Sequence, residues 1–198
     1  MSETILVTGA SAGFGQAICR RLVADVYRVI GSARRIDKLQ ALQEELGEAF
    51  YPLQMDVTDL SQVDHALASL PKAWERVDVL VNNAGLALGL APAYEAEVAD
   101  WLTMIQTNII GLTYLTRKIL PQMVERNDGY IINLGSTAGT VPYPGANVYG
   151  ASKAFVKQFS LNLRADLAGK KIRVSNIEPG LCEGTEFSSV QFKGDEER

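Results

Sequence analysis

The aliphatic run Ile5-Leu6-Val7 leads directly into Thr8-Gly9-Ala10-Ser11-Ala12-Gly13-Phe14-Gly15. From there the chain enters Gln16–Val23, where apolar residues recur at helical spacing. Glycine is needed where a chain reverses sharply, where backbone must approach a pyrophosphate, and where a helix meets a strand closely. The free N–H groups and positive dipole end of the following helix suit a phosphate. Any α/β protein can carry a glycine-rich turn. Strand, glycines and helix in this order narrow the reading to a dinucleotide-binding βα unit. No Gly-Lys-Ser/Thr follows, which argues against a phosphate loop of the NTPase kind.

The remaining chain alternates as a doubly wound parallel sheet requires. Strands are expected at Tyr27–Gly31, Phe50–Gln54, Val77–Val81, Tyr130–Leu134 and Ile172–Ile177. Helices are expected at Ile36–Leu46, ended by Gly47, and at Leu60–Leu70, stopped by Pro71. A long helical stretch covers about Val98–Arg126, with irregularities expected at Gly111 and Pro121, and another helix carries Tyr149 to about Leu167. No repeat, linker or low-complexity segment interrupts residues 1–198, so a single Rossmann-type α/β/α domain is expected.

Within this frame, Ser136 ends the fifth strand-like run, and Tyr149 and Lys153 stand four residues apart on a helix. Positions i and i+4 share one helix face, so phenol and ammonium enter the same space. A nearby cation favours the phenolate, which predicts a lowered Tyr149 pKa and a general acid/base usable near neutrality. The Ser136 hydroxyl is placed to hold a substrate oxygen during proton transfer with an alcohol or carbonyl. The Tyr-x-x-x-Lys spacing alone equally fits an ordinary helix with a half-buried Tyr and a solvated Lys.

Charge and cysteine usage bound the remaining classes. A net charge of −4 argues against a nucleic-acid surface, and no apolar run is long enough to span a bilayer. Cys19 and Cys182 lack metal-ligand spacing and His65 sits alone in a helix, so no metal is expected. Met1-Ser2-Glu3-Thr4 has no secretory character, and a cytoplasmic protein is expected.

Four signatures in order, Thr8-Gly9-x-x-x-Gly13-x-Gly15, Asn82-Asn83-Ala84-Gly85, the Ser136…Tyr149…Lys153 set and Pro179-Gly180, resemble the short-chain dehydrogenase/reductase family. The stretches Val81–Gly89, Gly135–Gly139 and Glu178–Phe187 are similar to bacterial NADP-dependent 3-hydroxy acid dehydrogenases. That subgroup acts on serine, allo-threonine and related acids and reduces malonic semialdehyde. The resemblance implies Asn108, Ser136, Tyr149 and Lys153 as catalytic residues, with Lys153 also on the nicotinamide ribose. It implies a cofactor site formed by Gly9, Ser11, Gly13, Phe14, Gly15, Asp56, Val57, Asn82, Ala84 and Gly85. Pro179, Gly180 and Thr185 would meet the nicotinamide end. Taken singly, Asp56, Asn82 and Asn108 are equally at home as turn formers or helix caps.

Charge selects the cofactor. An NAD-binding chain needs a carboxylate after the second strand to accept from the ribose 2′-hydroxyl. This chain has Ser32-Ala33-Arg34-Arg35 there. Two guanidiniums suit a 2′-phosphate, and each charge-assisted bond contributes roughly 1.5–3 kcal/mol. NADP is therefore expected, although an Arg pair opening a helix is also commonly just solvated.

Val26 stands in the turn before the second strand where the family usually has Gly, so that turn is expected to be strained. The family usually runs about fifty residues further, adding a helix and a seventh strand, so the domain is expected to lack them within residues 1–198. Dimers or tetramers are implied by the resemblance. Lys193 is a candidate for the substrate carboxylate, alongside simple solvation, and the Val141–Gly145 loop is expected to wall the pocket. Two other functions remain open: reduction of a different ketone or aldehyde, and a non-catalytic NADP-binding sensor.

Overall fold

The computed structural model describes residues 3–180. Strand β1 (Thr4–Thr8) is buried along its whole length, the signature of a strand covered on both faces. It pairs in parallel with β2 (Arg28–Ala33) on one side and β4 (Val79–Asn82) on the other. With β3 (Phe50–Gln54), β5 (Gly129–Leu134) and β6 (Ile172–Ile177) the described residues form a six-stranded parallel sheet, ordered β3-β2-β1-β4-β5-β6. Strand order reverses between β1 and β4, and ligand crevices in open α/β sheets form at such reversals.

The helices divide by face, and alternation along each strand decides which core each residue joins. Ile5, Val7, Val29, Val79 and Val81 pack beneath α1 (Gly13–Ala24) and α2 (Ile36–Leu46), which contribute Cys19, Leu39 and Leu42. Leu6, Ile30, Leu80 and Ile131 face the other way. They meet Val63 of α3 (Leu60–Ala68), Leu115, Ile119 and Met123 of α5 (Leu112–Arg126), and Leu163 of α6 (Asn147–Asp166). The result is the expected three layers.

The expected boundaries hold closely: α2, β3 and β6 match to the residue, and the others shift by one to three positions. The long helical stretch is α4 (Val98–Ile105), a π-helical segment Gln106–Gly111, then α5. The Gly111 irregularity is thus real. A Cβ there would lie 2.7 Å from the Val57 carbonyl oxygen, so glycine lets the helix approach that loop. Pro121 does not interrupt α5, contrary to expectation.

The strained turn is also present. Val26 has φ of +69° and is 79% exposed. Its N–H reaches the Val23 carbonyl and that of Tyr27 the Leu22 carbonyl, both at 3.0 Å, a Schellman ending to α1. That motif calls for glycine at this position, and a β-branched residue there is strained.

Candidate active site

A cleft of about 1150 Å³ opens over the carboxyl ends of the strands and runs from the glycine turn to the first turns of α6. Its floor is organised by Thr8, whose Oγ1 accepts the backbone N–H groups of Asn83 (3.0 Å) and Ala84 (2.9 Å). Asn83 Nδ2 donates back to the Thr8 carbonyl at 2.7 Å. These bonds lock the ends of β1 and β4 together at the strand-order reversal. Gly9, at φ +68°, makes the turn. A Cβ on Gly15 would sit 2.2 Å from the Gly9 carbonyl oxygen, so this glycine packs helix against turn rather than lining the cleft. No side chain caps the start of α1 and no acidic residue lies in its first turn. Its first N–H groups beside Gly13 and Phe14 are therefore suited to an anion.

One end of the cleft is basic. Arg34 and Arg35 follow β2 and both line the wall. Arg35 donates from Nε and Nη2 to Ser11 Oγ, at 3.3 and 3.2 Å, tying the helix start to the glycine turn. Across from them Asp56 closes an Asx turn, its Oδ1 accepting from Thr58 N (2.9 Å) and Thr58 Oγ1 (2.8 Å). Val57 and Thr58 continue the wall, and Gln106 Nε2 donates to the Thr58 carbonyl at 3.0 Å.

The other end gathers Ser136, Tyr149 and Lys153, with Asn108 close behind. Ser136 leaves β5 and caps a short 3-10 turn, its Oγ accepting the Ala138 N–H at 3.1 Å. The Tyr149 phenol hydrogen-bonds the Ser136 side chain. Lys153 is only 7% exposed, and its Nζ donates to the Leu134 carbonyl at 2.8 Å. That ammonium stands 5.8 Å from the Tyr149 ring centroid. Asn108 lies in the π-helical segment. Its Oδ1 accepts the Leu86 N–H (3.0 Å), while Nδ2 donates to the Leu86 carbonyl (2.9 Å) and to Ser152 Oγ (3.0 Å). Ser152 Oγ in turn donates to the Tyr149 carbonyl at 2.7 Å, so Asn108 braces the turn of α6 between phenol and ammonium.

The electrostatics differ from expectation. Burial pushes the Tyr149 phenol above its ordinary value, with the Ser136 hydrogen bond pulling it partly back. The direction is opposite to the lowering expected from the nearby ammonium. The same burial drives the Lys153 ammonium down to about 8, because a low-dielectric pocket disfavours both charged forms.

Two further expectations change. Asn82 is not in the cleft wall; it is 3% exposed, and its Nδ2 donates to Thr116 Oγ1 and Asn133 Oδ1, each at 2.9 Å. β4 ends at Asn82, and the loop residues that follow it, Asn83, Ala84 and Gly85, line the cleft instead. Thr185 and Lys193 lie outside the described residues. Pro179 and Gly180 do line the cleft, as do Val141 and Tyr143 of the expected loop. Thr8, Asn83 and Ser152 went unassigned in the sequence, although Thr8 and Asn83 sit inside the quoted motifs. Their roles depend on contacts more than forty residues away, which no spacing reveals. Among the described residues no cluster of His, Cys, Asp and Glu could hold a metal, and no helix is long and apolar enough to cross a membrane.

With this geometry in view, the likeness to known proteins is extensive. The short chain dehydrogenase family profile matches residues 3–196. The NADP-dependent 3-hydroxy acid dehydrogenase YdfG of Salmonella typhi is 61% identical over 194 residues, covering 98% of this chain and 78% of that protein. The serine 3-dehydrogenase of Agrobacterium fabrum is 52% identical over 197 residues, covering 100% and 78%. A closed form of serine dehydrogenase complexed with NADP+ superposes with a TM-score of 0.96 at 59% identity, covering 97% of this chain and 77% of that one. A parallel sheet with its crevice at the β1/β4 reversal, a glycine turn, and a Ser136–Tyr149–Lys153 cluster in one cleft are thus found in a chain that belongs to the short chain dehydrogenase family.

Proposed function

We propose that this chain is an NADP-dependent oxidoreductase acting on the 3-hydroxyl of small 3-hydroxy acids, such as L-serine, L-allo-threonine and 3-hydroxypropionate. The observation that carries the reading is one continuous cleft, with two guanidiniums at one end and, at the other, a half-buried serine beside a buried phenol and ammonium. The names of the 3-hydroxy acid and serine dehydrogenases support the choice of substrate.

The residues present fit NADP. Gly9 turns the chain at φ +68° and Gly15 lets α1 pack on that turn, the start of α1 offers uncapped donors, and the residues directly after β2 are Arg34 and Arg35 rather than a carboxylate. Gly13 and Phe14 would hold the pyrophosphate. Arg34, Arg35 and Ser11 would hold the 2′-phosphate, and Asp56 and Val57 the adenine. Ala84, Gly85 and Lys153 would hold the sugars, with Pro179 and Gly180 at the nicotinamide. When bound, NADP supplies the hydride acceptor or donor.

The chain's own groups manage the proton and the geometry. Ser136 Oγ holds the substrate oxygen beside Tyr149 Oη. In oxidation Tyr149 Oη takes the hydroxyl proton; in reduction the neutral phenol, which burial favours, gives it back. Lys153 is held by the Leu134 carbonyl and lines the cleft, where it would bond the nicotinamide ribose. Asn108 keeps the Leu86 loop and α6 in register.

Turnover by the full-length protein tests the reading, with NADP and L-serine, L-allo-threonine, 3-hydroxypropionate and a neutral secondary alcohol compared side by side. Activity confined to the hydroxy acids is expected; activity on the neutral alcohol alone would remove the substrate class. The protein is further proposed to be cytoplasmic and to assemble as a homo-oligomer through exposed apolar residues of α4 and α6, namely Val98, Phe155 and Leu161. Light scattering returning a monomer would sink the assembly.

A further inference from the structure

The phenol of Tyr149 stands in the first turn of α6, where a helix is least secure because its N–H groups lack intrahelical partners. Lys153, one turn on, is fastened to β5 through the Leu134 carbonyl, but that anchor lies beyond Tyr149. The start of the helix is held by Asn147. Its Oδ1 accepts the indole Nε1–H of Trp101 in α4 at 3.0 Å and the backbone N–H of Val148 at 2.8 Å. Its Nδ2 donates to the Ala91 carbonyl in the β4–α4 loop at 3.1 Å. One amide thus joins three segments two residues before the phenol.

Asn147 also has φ of +21°, a conformation that asparagine and aspartate tolerate better than most residues. Trp101 packs in the same small apolar cluster as Tyr149, Met104 and Ala87. Neither Trp101 nor Asn147 belongs to the cleft wall.

We propose that Asn147, clamped by Trp101, is a positioning residue that fixes the Tyr149 hydroxyl beside Ser136 for proton transfer. The clamp acts on the chemical step and leaves binding alone, because its contacts all lie behind the helix start. This rests on Tyr149 being the acid/base proposed above.

The test compares Trp101→Phe, which keeps the packing ring but removes the donor, with Asn147→Ala, Asn147→Asp and the Phe/Ala double variant in full-length protein. Steady-state kinetics and amide exchange of residues 148–150 in cofactor-free protein are read together. Trp101→Phe and Asn147→Ala should each lower kcat about tenfold, with KM and the NADP dissociation constant within twofold, and speed exchange at the helix start. The double variant should fall no further than the worse single one, since both remove one clamp. Asn147→Asp keeps both acceptor contacts but loses the donation to the Ala91 carbonyl, and should recover part of the kcat lost in Asn147→Ala.

A loss of thermal stability or exchange protection with kcat unchanged would show a merely structural contact and overturn the proposal, as would a fall in affinity matching the fall in kcat. Should the wild-type protein turn over none of the hydroxy acids, the proposed substrate class fails. The exchange comparison still decides the clamp: unaltered protection in Trp101→Phe rejects it.

Discussion

Two buried polar clusters lie on either side of the same strand ends, built from similar residues to different effect. On the closed side, Asn82 donates to Thr116 and Asn133, and Asn133 Nδ2 donates to Ser160 Oγ at 2.9 Å. The Thr116 and Ser160 hydroxyls donate to the helix carbonyls of Leu112 and Val156, each at 2.7 Å. All four side chains are neutral, buried and matched donor to acceptor, running from α5 through β4 and β5 to α6. On the cleft side, Tyr149 and Lys153 are also buried beside the half-buried Ser136, yet both of them ionise and both are driven toward their neutral forms. A satisfied neutral network specifies and stabilises a core. Buried ionisable groups at a cleft cost stability, and such perturbed groups cluster where chemistry is done. The comparison assigns stability to one cluster and turnover to the other.

The largest expected effect breaks that assignment if it is wrong. Tyr149→Phe should lower kcat by about 10²–10⁴-fold while NADP affinity stays within a few fold, measured by steady-state kinetics and cofactor titration. Survival of turnover would mean that another group handles the proton. Lys153→Met should also abolish most activity and yet stabilise the fold at neutral pH, by on the order of 1–3 kcal/mol, because it removes a desolvated ammonium. The physical reason predicts a pH signature as well. The Lys153 pKa falls from 10.5 to about 8 on folding, so between those values the unfolded chain binds more protons. This group therefore makes wild-type stability rise with pH through that window. Chemical denaturation at stepped pH should show the rise in wild type and its absence in Lys153→Met.

Next in size is the direction of the reaction against pH. Tyr149 is pushed toward its neutral form, and oxidation needs the phenolate. Hydroxy-acid oxidation should climb up to about tenfold per pH unit through the alkaline range, while aldehyde reduction falls as the phenol ionises. Equal profiles in both directions would remove Tyr149 as the titrating group.

On the closed side, Asn133→Ala should leave one Asn82 Nδ2–H and the acceptor side of Ser160 Oγ unpaired, costing about 2–3 kcal/mol in denaturant unfolding while kcat/KM at a permissive temperature changes less than about threefold. A loss of turnover out of proportion to stability would merge the two clusters into one. Smallest is a control remote from both. Val26→Gly relieves the left-handed strain ending α1 and should add about 1 kcal/mol, raising Tm by roughly 2–4 °C with unchanged kinetics.

Most of the fold was legible because each element carries its own signal. Doubly buried strands read as aliphatic runs, and α2 stops at Gly47 because that residue takes φ +70°. Pro121 misled because packing holds α5 through it. In the site, Ser136, Tyr149, Lys153 and the glycines were marked by spacing, whereas Asn82 was misplaced because a motif does not say which way a strand residue faces. The sign of the Tyr149 shift was missed for a related reason: helical spacing predicts that a lysine approaches, but not how dry the place of meeting is.

By itself the chain determined what is local: alternation of strand and helix, the phosphate-suited turn after β1, the two arginines after β2, and one helix face shared by a phenol and an ammonium. These follow from backbone sterics and periodicities that act within a few residues. Only the tertiary structure decided that Asn82 serves the closed side while Asn83 lines the cleft, that Thr8 and Asn83 lock two strand ends 75 residues apart, that Asn147 ties three segments at the start of α6, and that burial raises the Tyr149 phenol. Burial and long-range hydrogen bonding are sums over segments distant in sequence, and they exist only once the sheet has brought those segments together.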